Sequence, residues 1–185
     1  ARVKFPMDKN QFVDEIKKAH DLGWKRFDVV EIAAFTPERI KERVAKSDVI
    51  FVNGGNTYFL LNRMMHSGFA DMLPELLKTK VYVGSSAGGT VVSKHFSSKL
   101  AKLYGEEDKL EADTNVQGLG YTDVLTKPHL NSPEFPERTM AWYDQIAKQI
   151  DAPLYAIDDN TAVKVVDDNV EVISEGKWKL YDSKS

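Results

Sequence analysis

Apolar and polar positions alternate along this chain with two periods, and the switches between them mark its elements. From Asn10 to Leu22 the spacing is helical, with Phe12, Ile16 and Ala19 on one side and Asp14, Lys17 and Lys18 on the other. Gly23 follows, as glycine commonly does past a helix C-terminus. Phe27 to Ile32 predicts a strand. Thr36-Pro37-Glu38 has the cap, first-turn proline and acidic residue of a helix start, and that helix is expected to run to about Ala45. Asp48 to Val52 is a short, nearly continuous apolar run of the kind found in a parallel strand covered on both faces. A helix is predicted from about Tyr58 to Met65 and another segment from Pro74 to Leu77. Val81 to Gly84 then returns to strand character. Pro136 to Ile150 reads as a helix burying Met140, Tyr143, Ile146 and Ala147.

The tail changes rhythm. Leu154–Ile157, Ala162–Val166, Val170–Ile173 and Lys177–Tyr181 read as short strands separated by Asp158-Asp159-Asn160 and Asp167-Asp168-Asn169, which predicts an antiparallel meander. Those acidic pairs resemble metal ligands, but Asx side chains stabilise such turns, and turn chemistry is the simpler reading. Strands alternating with helices predict an α/β fold: a doubly wound, mostly parallel sheet flanked by helices and ending in the meander. The segment Ser97–Thr114 is polar and charged and reads as a solvated loop.

Size and charge narrow the picture. The 185 residues, 42% of them hydrophobic, suit a single domain over 1–185. A net charge of −3 with scattered basic residues gives no electrostatic case for nucleic acid. With no cysteine, the chain has no disulfide, thiolate metal site or cysteine nucleophile. No apolar run approaches the roughly 20 residues of a membrane-spanning helix. A cytoplasmic protein without membrane association is the expectation.

The chemistry concentrates in Gly84-Ser85-Ser86-Ala87-Gly88. A strand entering a Gly-x-Ser-x-Gly turn and leaving as a helix is the layout of a nucleophile elbow. Its glycines permit the sharp turn that lifts the central hydroxyl, here Ser86, above the sheet. A serine hydroxyl needs a base to take its proton, and an imidazole titrates in the right range. His129, after Pro128 in an extended stretch, is the candidate; His20, His66 and His95 lie in or near helical segments. A second glycine loop, Asn53-Gly54-Gly55-Asn56-Thr57, follows the apolar strand. It lacks the Lys-Ser/Thr of a phosphate-binding loop and the spacing of a dinucleotide fingerprint. Asn56 and Thr57 are placed to cap the next helix.

Taken in order, Gly54-Gly55-Asn56-Thr57 with Leu60-Leu61, the Ser86-Ala87-Gly88 elbow and Pro128-His129 resemble the peptidase E and cyanophycinase family of serine peptidases, over about residues 48–166. The resemblance implies an amidotransferase-like α/β fold with serine where relatives of that fold carry cysteine. It implies Ser86 as nucleophile, His129 as general base, and backbone N–H groups near Gly55 and Ala87 as the oxyanion hole. Family members carry an acid between the elbow helix and the Pro-His, and Glu106 is the leading candidate, with Glu107 and Asp108 behind it. Asn56 and Arg138 are candidate substrate-binding residues, Arg138 through a substrate carboxylate. The resemblance further implies an additional strand before the first helix. That element is absent or unclear here, Arg2 to Phe5 reading as either a strand remnant or a loop, so a truncated N-terminus is expected.

The expected activity is hydrolysis of small peptides through an acyl-enzyme, with a dipeptidase within range. No metal or organic cofactor is implied, and a homodimer is one expected assembly. Ser132-Pro133-Glu134-Phe135-Pro136 does not reproduce the Gly- and Glu-containing stretch of the family's aspartyl dipeptidases, which leaves amino-terminal specificity open. An esterase, or a catalytically silent binding or regulatory protein on the same scaffold, are the other readings.

Overall fold

Two apolar segments that cannot satisfy their backbones alone pair side by side: β1 (Val49–Val52) runs parallel to β2 (Val81–Gly84), with Val52 opposite Gly84. The computed structural model describes residues 9–97, 100, 116–167 and 169–182. A second sheet has the order β3 (Leu125–Lys127), β4 (Leu154–Ile157), β7 (Trp178–Tyr181). There β3 and β4 are parallel, and β7 lies antiparallel to β4. Between β4 and β7 the chain makes a hairpin, β5 (Thr161–Val166) and β6 (Asn169–Ser174). The C-terminal strands are thus antiparallel to their neighbours, with β7 returning to β4 across the hairpin. Parallel strands, antiparallel strands and flanking helices together make an α/β fold.

Three of the helices begin where a short polar side chain meets an orphan N–H group. Thr36 Oγ1 accepts from Arg39 N–H at 3.4 Å at the start of α2 (Pro37–Val44). Asn56 Oδ1 accepts from Phe59 N–H at 2.9 Å for α3 (Thr57–His66). Preceding these is α1 (Lys9–His20). The helix expected around Pro74 begins earlier, as α4 (Phe69–Leu76). Proline at that point supplies no N–H for the carbonyl of Ala70 four residues back, and the Tyr121 hydroxyl donates to that carbonyl instead, at 3.2 Å. The elbow helix α5 (Ala87–Thr90) is a single turn. Last comes α6 (Met140–Ala147), which starts later than its apolar pattern suggests because Thr139 caps it through Trp142 N–H.

Phe27–Ile32 corrects the sequence reading: it is not a strand. Alternation describes a strand's faces, but a strand exists only by its ladder, and no neighbour among the described residues pairs with this segment. Side chains anchor it instead. Asp28 receives Arg43 Nε–H at 2.8 Å and a second bond from the same guanidinium, which holds the Asp28 carboxyl below its usual range. Val30 and Ile32 pack against the core. That core joins α2, α3 and α4 to the strands through Ile40, Leu61, Leu73, Leu125 and Leu154, all essentially inaccessible to water.

One consequence of the topology governs the site. The carboxyl ends of β1, β2, β3 and β4 are followed by Asn53–Asn56, Ser85–Ser86, Pro128–His129 and Asp158–Asp159. In open α/β sheets this edge is where ligands bind.

Candidate active site

The elbow is built by close backbone approach. A Cβ at Gly88 would overlap the Val52 carbonyl at the end of β1, and one at Gly84 would overlap the Gly88 backbone. Only glycine lets β2 turn into α5 against its neighbour. The turn forces Ser86 to φ 52° and ψ −117°, a conformation L-residues rarely adopt. Thr90 then donates from Oγ1 toward the carbonyls of Ser86 and Thr126, each at 3.3 Å, tying α5 to β3.

Strand β3 leads into Pro128 and His129. The Tyr143 hydroxyl, on α6 and fully buried, donates to the Pro128 carbonyl at 2.9 Å, and Leu130 N–H donates to the Ile157 carbonyl of β4 at 3.0 Å. Between these two anchors His129 takes φ 73°, again left-handed. The ring lands where it meets both neighbours. Its Nε2 is 2.9 Å from Ser86 Oγ and its Nδ1 is 2.8 Å from Asp159 Oδ1. A carboxylate only accepts, so Nδ1 carries the proton and Nε2 is left to accept from the Ser86 hydroxyl.

Burial lowers the His129 pKa from its ordinary value, against the raising effect of the Asp159 carboxylate, while the Arg138 cation lowers it further. The ring is therefore neutral and basic near pH 7. Asp159 itself is 55% exposed, so water screens much of its charge.

Gly55, at φ 127°, and Ala87 line a small pocket of about 70 Å³ with Ser86, Thr57, Thr90, Lys127, Pro128, Phe135 and Arg138. Among the described residues no hydrogen bond engages the Gly55 or Ala87 N–H. Gly54 lies so close to the nucleophile that a Cβ there would sit 2.8 Å from Ser86 Cβ. Asn53 holds this loop, accepting from Gly54 N–H and donating to Glu15 of α1, both at 2.8 Å.

Ser86, His129, Gly55, Ala87 and Arg138 are thus brought together at one edge. Asn56 is adjacent, but its side-chain oxygen is engaged in capping α3. Glu106, with Glu107 and Asp108, lies outside the described residues, as does most of the polar segment around them. The acid that meets His129 is Asp159, which the sequence reading assigned to turn chemistry. Its neighbour Asp158 does form the turn, accepting from Asn160 N–H, the Thr161 hydroxyl and Lys177 N–H. The signal for Asp159 was its position just past the C-terminal end of a strand. Lys127, 4% exposed, and Phe135 also went unremarked. No group of side chains suited to hold a metal ion occurs among the described residues, and no described helix is long and apolar enough to cross a membrane.

The family model for peptidase family S51 matches residues 4–173. An uncharacterized peptidase of Listeria innocua is 30% identical over 143 residues, covering 76% of this chain and 66% of the relative. A probable alpha-aspartyl dipeptidase of Drosophila melanogaster is 25% identical over 154 residues, 78% of this chain and 60% of that protein. The chain therefore spans about two thirds of the length of these relatives. Among solved structures, a candidate peptidase E protein from Listeria monocytogenes superposes with a TM-score of 0.73 at 25% identity, covering 95% of this chain and 83% of the other.

Proposed function

The chain belongs to peptidase family S51, a family of serine peptidases, and on that premise we propose that it hydrolyses small peptides through an acyl-enzyme at Ser86. The observation that carries this reading is the continuous line from Ser86 Oγ through the His129 ring to Asp159, at 2.9 and 2.8 Å. In attack, Ser86 Oγ bonds to the scissile carbonyl carbon while its proton passes to His129 Nε2. The carbonyl oxygen takes up the negative charge, and the Gly55 and Ala87 N–H groups are its donors; such a donor contributes about 3 kcal/mol. Asp159 stabilises the imidazolium through Nδ1–H. Collapse of the tetrahedral intermediate breaks the C–N bond, and His129 returns the proton to the leaving amine. Water, deprotonated by His129, then releases the acid and restores the Ser86 hydroxyl.

The pocket's charge supports a substrate with an acidic group. Its lining holds Lys127 and Arg138, and the Arg138 guanidinium, which also meets Glu137 at 3.8 Å, is suited to bind an anionic side chain or terminus. A panel of dipeptides with amino-terminal Asp, Glu and neutral residues tests this: turnover confined to the acidic members is expected, and preference for neutral ones would overturn the assignment of the pocket.

A further inference from the structure

We propose that Phe135 is a positioning residue for His129, a wall that holds the imidazole in line between Ser86 and Asp159. The inference rests on the peptidase reading above.

The need for such a wall comes from the rest of the site. His129 has a left-handed backbone, and its Nδ1 partner is a largely solvated carboxylate at a turn. A hydrogen bond to a group in water fixes an imidazole weakly, because water competes for both partners. The ring's face, by contrast, is covered. Phe135 stacks on it with centroids 4.5 Å apart and planes 23° apart. Rotation of the imidazole toward that covered face is blocked by the phenyl ring. The sequence spends ten residues building this contact. Ser132 accepts from Phe135 N–H at 3.0 Å, Phe135 accepts from Arg138 N–H at 2.9 Å, and Asn131 N–H closes the loop on the Arg138 carbonyl at 2.8 Å. These turns fold residue 135 back beneath residue 129.

Phe135 also contacts a cation. The Arg138 guanidinium carbon is 4.1 Å from the Phe135 centroid. Phe135 thus contacts both the imidazole and the guanidinium. Removing the ring takes away the surface on which that guanidinium rests, beside an imidazole that must accept a proton in the reaction.

The test is the rate at which a fluorophosphonate labels Ser86 in the full chain, with thermal unfolding as the check on the fold. Phe135→Leu is expected to slow labelling about five- to tenfold, the scale of an aromatic pair; Phe135→Tyr, which keeps the wall, should stay within about twofold of wild type. Phe135→Met replaces the leucine variant if that does not fold. A folded Leu or Met variant labelling at the wild-type rate, or a Tyr variant as slow as Leu, overturns the proposal. Proton NMR of the wild type gives a second reading that needs no folded variant at 135. The His129 ring protons, assigned by their loss in His129→Gln, are expected upfield of those of His20, His66 and His95 through the Phe135 ring current; coincident shifts overturn the stack. A wild type that fails to label sinks the peptidase reading itself, whereas a labelling wild type with unaffected variants sinks the role of Phe135 alone.

Discussion

Asp159 Oδ1 lies 2.8 Å from His129 Nδ1, although thirty positions separate the two in sequence and each follows a different strand. The parallel pairing of β3 with β4 brings those strand ends together. Replacing Asp159 by Asn removes the charge that favours the imidazolium and allows the wrong tautomer. In enzymes with a buried acid the corresponding change costs about 10⁴-fold in rate. Because Asp159 is largely exposed, a smaller loss of roughly 10- to 100-fold is expected here by the same reasoning, in both fluorophosphonate labelling and peptide turnover. Unchanged rates would remove Asp159 from the mechanism.

The same ring sets a pH dependence. General-base action requires neutral His129, so activity falls as pH drops through its pKa. Burial holds that pKa below 6.5, hence the acid limb of the labelling rate should have its midpoint below 6.5. Asp159 opposes that shift, so Asp159→Asn should move the midpoint further toward acid. A pH profile of both proteins checks the sign.

Gly54 presses on the nucleophile. A methyl group there meets Ser86 Cβ at 2.8 Å and Oγ at 3.2 Å, so Gly54→Ala must displace either the loop or the hydroxyl. Displacement of reacting atoms by about 1 Å costs on the order of 100-fold. Labelling of Gly54→Ala should fall on that scale while the far-ultraviolet circular dichroism stays native.

Asp158 bears on stability. Burial raises its pKa, but hydrogen bonds from Lys177 N–H, the Thr161 hydroxyl and Asn160 N–H outweigh this and hold it below 3.8. A depressed folded-state value gives stability that is present above the unfolded pKa and lost as pH falls through the folded one. Asp158→Ala should therefore destabilise by about 1–3 kcal/mol near neutral pH. The gap from wild type should narrow as pH falls below 3.8 and through the depressed folded-state pKa, as denaturant unfolding across that range would record.

How much of this was legible follows from the physics of each element. Ser86 and the glycines around it stand out because an elbow's constraints are local: four neighbouring residues dictate the backbone. The caps at Thr36 and Asn56 are equally local. Phe27–Ile32 misleads because alternation records which side chains face inward and carries no information on whether a pairing partner exists. Asp159 was hidden for a related reason. Asp158-Asp159-Asn160 satisfies every requirement of a turn, and Asp158 uses them; only the register of β3 on β4 directs the second carboxylate toward an imidazole. Phe135 belongs to a proline-flanked loop whose path is set by three backbone hydrogen bonds that no composition rule anticipates.

The most direct measurement is intact-mass analysis after exposure to a fluorophosphonate, followed by peptide mapping. A single adduct on Ser86, absent from Ser86→Ala and strongly slowed in His129→Gln, is the predicted result. A folded wild type that takes up no adduct, or one modified equally in Ser86→Ala, would contradict it.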